Sequence, residues 1–244
     1  EGAVTPMTYY YLGWCLVQGA LPGPKEAFES AAAACPDYCF PNRLEAILAL
    51  QCAMAQNPGD AKAPYYLGNL YYDKRQYDLA VEAWETSARL DAGFPMVWRN
   101  LALAFFNKKN EEAKAVEYME RAFGLDTTDA RILMELDQLY KRLHRPHKER
   151  LDFLRRYPQL IAQRDDLVLE EITLLNQTGA YEEAKQLLDA HVFHPWEGGE
   201  GKVSGQYQFA RVELAKQALA AGDYKKAIMW LEECLVYPHH LGEG

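Results

Sequence analysis

Two successive stretches, YYLGNLYYDKRQYDLAVEAWETSARLD (65–91) and VWRNLALAFFNKKNEEAKAVEYMERAFGLD (97–126), carry one apolar pattern at a nearly fixed offset. Leu67 matches Leu101, Gly68 matches Ala102 and Tyr71 matches Phe105 at a period of 34, whereas Ala80 matches Ala115, Trp84 matches Met119, Leu90 matches Leu125 and Asp91 matches Asp126 at 35. A period of this size marks an array of supersecondary units, none of which buries its apolar face alone, so neighbours must stack. Every recognisable segment is helical in spacing and none alternates as a strand does, which predicts an all-α chain of about twelve or thirteen helices. Small residues such as Gly68 and Ala80 let two antiparallel helices approach closely, while Tyr71 and Trp84 fill the wedge between hairpins.

A small residue after Leu on the first helix, an aromatic three further on, and an Ala followed by a bulky residue on the second resemble the tetratricopeptide repeat. That resemblance implies a right-handed superhelix of stacked antiparallel hairpins, read here as a single solenoid over 1–244. The best repeats occupy 61–126, and irregular helices precede them over 5–57. There YYYLGWCLVQGA holds a Leu12-Gly13 step, KEAFESAAAA forms a short helix, and EAILALQCAMAQNPGD reads as a second helix stopped by Pro58. A degenerate repeat spans 128–158: LMELDQLYKRL keeps Leu136 and Tyr140, but Arg150 stands where Ala is expected, so this hairpin should be irregular.

Over 160–244 the register returns with a longer unit. GAYEEAKQLLDAHVFHPWEGGEG aligns without a gap on GDYKKAIMWLEECLVYPHHLGEG, which is displaced by 43 residues. The excess over 34 is the Pro-to-GEG segment, so one loop is appended to two successive hairpins. Pro can end the helix, glycines can take positive φ, and Trp196 can cover a helix end. The sharper alternative is a partner-docking lip or an anion-binding concavity carrying Trp196, Glu200 and its repeat Glu243, although Glu200 itself disfavours an anion. With FPNRLEAI, APYYLGNLYYDKRQYDLAVEAWE, WRNLA, QRDDLVLEEITLLNQTGAYEEA and HPWEGGEGKV, the chain resembles the repeat region of large uncharacterised bacterial proteins. In these a β-rich, carbohydrate-handling-like N-terminal domain precedes the repeats. The resemblance implies no catalytic residues, and it implies that the chain is an excerpt.

A formal charge of −9 disfavours nucleic acid as a partner. KRLHRPHKERLDFLRR (141–156) departs from this with a local +5, read as a solvated face or internal docking strip rather than an anion site. No apolar run is long enough to span a membrane and no signal peptide stands at the start. Five cysteines without a CxxC pair suit a reducing, cytoplasmic setting.

Nothing composes a catalytic or cofactor site, and no metal site is expected. The pairs His144/His147, His191/His194 and His239/His240 lack completing ligands, and the last two suit the helix C-terminal dipole. QRDDLVLEE suggests first-turn capping by Asp165 and Asp166 or a buried Arg164 pair rather than acid/base carboxylates. The reading is therefore not an enzyme but a scaffold for a protein or peptide segment, including the N-terminal domain of the same polypeptide. The alternative is an accessory domain shaping the active site of that carbohydrate-active N-terminal domain. Counting from Gly68 and Ala102, the inward stripe of the first helices contains Tyr65, Asn69, Tyr72, Arg99, Leu103 and Phe106. Counting from Leu136 adds Met134, Gln138 and Lys141. Aromatic anchors with one cation and amides suit an extended or helical peptide.

Overall fold

The computed structural model describes residues 5–242. Among these residues there are fourteen α-helices and no strand. The chain divides into two compact units, Glu1–Asp126 and Thr127–Gly244.

The first unit contains α1 (Pro6–Gln18), α2 (Pro24–Ala33), α3 (Ala46–Gln56), α4 (Lys62–Asp73), α5 (Tyr77–Leu90), α6 (Pro95–Ala104) and α7 (Glu112–Leu125). Proline opens α1, α2 and α6, where its missing N–H costs nothing. Two hairpins share a seam. In α4–α5 a Cβ on Gly68 would lie 2.5 Å from Trp84, and in α1–α2 one on Gly13 would lie 2.6 Å from Phe28. Glycine on the first helix is thus what admits the large ring of the second. The α3 helix packs against both α1 and α4. Buried Asp60 links these elements, accepting from the Tyr10 hydroxyl at 2.7 Å and from the backbone N–H of Lys62 at 2.8 Å at the start of α4.

The switch from period 34 to 35 has a local cause. Between α6 and α7 the backbone forms a π-turn over Phe105–Lys109, which ends on Asn110 in the left-handed region at φ 56°. A π-turn holds one residue more than the α-turn it replaces, so the extra residue is absorbed before α7 begins. Both Trp84 and Met119 therefore stay in the core.

The second unit contains α8 (Ala130–Arg142), α9 (His147–Leu154), α10 (Pro158–Ile161), α11 (Asp165–Gln177), α12 (Tyr181–Ala190), α13 (Lys202–Ala220) and α14 (Tyr224–Glu233). The irregular repeat yields one helix more than expected, because the chain turns after α9 and Pro158 opens the single turn of α10. Helices α11 and α12 form one hairpin and α13 and α14 the next, with Ala184, Leu188, Ala227 and Trp230 turned into their cores.

Candidate functional site

In the first unit the expected stripe separates into a buried floor and a half-buried rim. Tyr65 and Arg99 are buried, whereas Asn69, Tyr72, Leu103 and Phe106 are half-buried. Asn69 is a structural crosspoint. Its Oδ1 accepts from Trp84 Nε1 at 3.0 Å and from Asn100 Nδ2 at 2.9 Å, and Arg99 Nη1 donates to Asn100 Oδ1 at 3.2 Å. Trp84 Nε1 also reaches the Tyr65 carbonyl at 3.2 Å. Tyr65 stacks edge-on against Phe94, and Tyr72 lies against Trp84 and Tyr77. Burial pushes the Tyr65 hydroxyl up, against the pull of Asn69 and Arg99, so it stays neutral. Arg99, the one cation of the expected first-unit stripe, is buried in the floor. Phe106 falls within the π-turn.

In the second unit Met134 and Gln138 are half-buried on α8, and exposed Lys141 donates to both Glu170 oxygens at 2.9 and 2.8 Å. The irregular hairpin has a specific chemistry. Asp137 stands one residue after Leu136, in the register of Gly68 and Ala102, and Arg150 stands in the register of Ala80 and Ala115. Both small-residue positions of the hairpin are thus filled by a buried ion pair. Arg150 Nε donates to Asp137 Oδ1 at 3.0 Å and Nη2 to Oδ2 at 2.6 Å, while Nη2 also meets Glu170 Oε1 at 2.6 Å. Although burial opposes it, Asp137 and Glu170 hold the Arg150 guanidinium above its ordinary range. Burial likewise opposes ionisation of Glu170, yet Lys141 and Arg150 draw its carboxyl below the usual range. Arg155 reaches Glu171 and Glu183, so much of the basic run docks internally.

The loop after α12 is built around Asp165. His191 Nε2 lies 2.7 Å from Oδ1, and Oδ2 accepts from the His194 backbone N–H at 2.7 Å with His194 Nδ1 at 3.0 Å. This corrects the expectation that Asp165 caps α11 and that these histidines serve only the helix dipole. Asp166 does form the expected pair with Arg164, half-buried rather than buried, at 2.9 and 2.6 Å. Burial works against ionised Asp165, but the histidine hydrogen bonds hold its carboxyl below the usual range.

The two loop copies touch, since Phe193 N–H donates to the His240 carbonyl at 2.8 Å and a Cβ on Gly242 would lie 2.4 Å from the Phe193 carbonyl oxygen. Trp196 covers Gly199, whose carbonyl accepts from the N–H of Lys202 at the start of α13. Gly199 N–H bonds the Trp196 carbonyl and Gly198 N–H reaches the Glu200 carboxylate at 3.3 Å, so the glycine donors proposed for an anion are engaged within the loop. A cavity of about 500 Å³ is lined by His194, Trp196, Glu197, Glu200 and Leu241. Glu243 lies outside the described residues.

Among the described residues there is no group of three His, Cys, Asp or Glu side chains placed to hold a metal, and no helix long and apolar enough to cross a membrane. Arg211, which sequence reasoning passed over, is buried in α13. It donates to Asp189 at 2.6 Å and Glu233 at 2.8 Å and lies over the Tyr207 ring. Its only sequence signal is an Arg amid the apolar and small residues of α13.

These tandem hairpins, with small residues at the seams and large rings seated on them, have the fold of tetratricopeptide-repeat proteins. No family model matches the chain. Among solved structures it is similar to YrrB, a TPR protein with an unusual peptide-binding site, at 16% identity and TM-score 0.55, covering 76% of this chain and 90% of that one. PilF of Pseudomonas aeruginosa aligns at 17% identity and TM-score 0.53, over 96% of this chain and 92% of that one. A chain of the Naa15/Naa10 complex bound to HypK-THB aligns at 12% identity and TM-score 0.55, over 94% of this chain and 31% of that one. At these identities the likeness is one of fold.

Proposed function

We propose that the chain is a non-enzymatic scaffold that binds a polypeptide segment along the first-helix stripe of its first unit. The observation that carries this reading is the arrangement on α4 and α6. A floor locked by Asn69, Asn100, Trp84 and Arg99 supports the half-buried side chains Tyr72, Leu103 and Phe106. A rigid floor lowers the entropy cost of binding, and aromatic side chains are favoured anchors. The π-turn that carries Phe106 is a feature often found at functional sites. A peptide-binding site is described for YrrB, and a peptide is the ligand class proposed here. In the second unit, taken by itself, Met134, Gln138 and Lys141 on α8 are proposed as polypeptide contacts, and Trp196 and Glu200 as a docking lip. The N-terminal region of the same polypeptide is the first partner to test, and a reducing compartment such as the cytoplasm suits the five thiols.

Peptides selected from a random display library against the chain test this reading. Leu103→Asp and Phe106→Asp should each weaken binding by about 2 kcal/mol or more, while Leu79→Asp on exposed α5 surface leaves it unchanged. Circular dichroism checks that each variant is helical. Binding that survives both rim substitutions contradicts the proposal.

A further inference from the structure

Within the second unit the turn from α8 to α9 borders a cavity of about 440 Å³. Buried Arg150, Glu170 and Leu174 form its floor, and exposed Lys141, His144, Arg145 and His147 stand around it. Three cations, Lys141, Arg145 and Arg150, thus line it against one carboxylate, in a chain whose formal charge is −9. That carboxylate is already committed, since Glu170 accepts from both Lys141 and Arg150. Asp137, behind it, is held bidentately by Arg150. Internal docking accounts for Lys141 and Arg150, but the imidazoles of His144 and His147 meet no acidic side chain among the described residues.

The turn presents these groups on a fixed backbone. His144 takes the left-handed region at φ 55°, its N–H bonds the Lys141 carbonyl at 3.1 Å, and the Arg145 N–H bonds the Tyr140 carbonyl at 3.0 Å. These two bonds close α8 as a Schellman cap. The Arg145 guanidinium lies over the Tyr140 ring at 3.8 Å. Pro146 then opens α9 and gives its first N–H groups no side-chain cap, so the positive end of that helix adds to the same wall. Cations and donors already held in place lower the entropy cost of binding an anion. The cavity is far larger than one phosphate ion needs. Pro146 and Leu174 offer apolar surface to the stem of a side chain, and exposed Gln177 offers an amide to peptide backbone. We propose that this cavity takes the carboxylate side chains of an acidic polypeptide segment. The class of ligand rests on the scaffold reading above, whereas the residues are different ones.

Fluorescence anisotropy of a fluorescein-labelled hexaglutamate peptide with the full chain tests this. The peptide should bind saturably, hexaglutamine should not, and added salt should weaken the binding. The double variant His144→Asp/His147→Glu should weaken it roughly tenfold or more. Asp tolerates the left-handed backbone at 144 and Glu suits the first turn of α9, so the fold is retained and circular dichroism verifies it. Lys225→Glu, an equal change of formal charge on exposed α14 surface, should leave binding unaltered. Absence of saturable binding would overturn the proposal without touching the first-unit reading, which Leu103→Asp and Phe106→Asp test. Binding shared by hexaglutamine, indifferent to the double variant, or weakened as much by Lys225→Glu would overturn it as well. Displacement of the peptide by micromolar inorganic phosphate at constant ionic strength would assign the cavity to a free oxyanion instead.

Discussion

Gly68→Ala adds one methyl group at the tightest seam of the first unit. Its Cβ would lie 2.5 Å from Trp84 Cδ1 and Nε1 and 2.9 Å from Cγ, about an ångström inside ordinary contact. Trp84 cannot yield freely. Its Nε1 is held by Asn69 Oδ1 and the Tyr65 carbonyl, and its ring lies against Tyr72. Overpacking of this kind costs about 1–3 kcal/mol, and weakening the indole hydrogen bonds adds about 1 kcal/mol. Replacing a helical Gly by Ala returns about 1 kcal/mol. The net expectation is a loss of about 2 kcal/mol. Gly124 on α7 is the control, because its Cβ would meet nothing within 4 Å and its φ is not positive. Gly124→Ala should gain about 0.5–1 kcal/mol. Urea unfolding followed by Trp fluorescence and circular dichroism measures both. If Gly68→Ala matches or exceeds the parent in stability, the seam does not require glycine and the packing argument fails.

Asp137→Ala leaves Arg150 buried without its bidentate partner and should cost about 3 kcal/mol; adding Arg150→Ala, which returns both positions to the small residues of neighbouring hairpins, should recover most of that in urea midpoints. The depressed Glu170 carboxyl contributes stability above its ordinary value of 4.5, which is lost as the pH falls through and below that value. Glu170→Gln should therefore be less stable than the parent at neutral pH, and the difference should shrink on acidification. Asp165→Asn should speed amide hydrogen exchange across 191–201 by weakening the His191 and His194 contacts, without changing exchange over 65–91.

The hairpin seams were legible because a small residue on the first helix and a bulky one on the second recur at a nearly fixed offset, Gly68 and Trp84 as Ala102 and Met119. Gly68 admits the second helix as read, though the ring it admits is Trp84 of its own hairpin, which was read as filling the wedge between hairpins, and the Leu12-Gly13 step finds its ring in Phe28. The one-residue change of period was visible too, though only the backbone shows that a π-turn takes it up. Arg150 announced an irregular hairpin. Its partner was hidden, because Asp137 is unremarkable until the register places it opposite. The loop contacts were least accessible: Asp165 meets His191 and His194 across 26 and 29 residues, and no periodic signal encodes such pairs. The burial of Arg99 was out of reach for a related reason, since helical phase gives the side of a helix that a residue occupies but not whether its neighbours roof it over.

The scaffold reading is tested most directly by placing a photo-crosslinking amino acid at Tyr72, Leu103 or Phe106 in the cells that make the protein, with exposed Leu79 and Glu82 as controls. Irradiation should join the three rim positions to a discrete polypeptide, identified by mass spectrometry, and should leave the controls without that product. Equal labelling at rim and control positions, or no polypeptide adduct at any rim position, would contradict it.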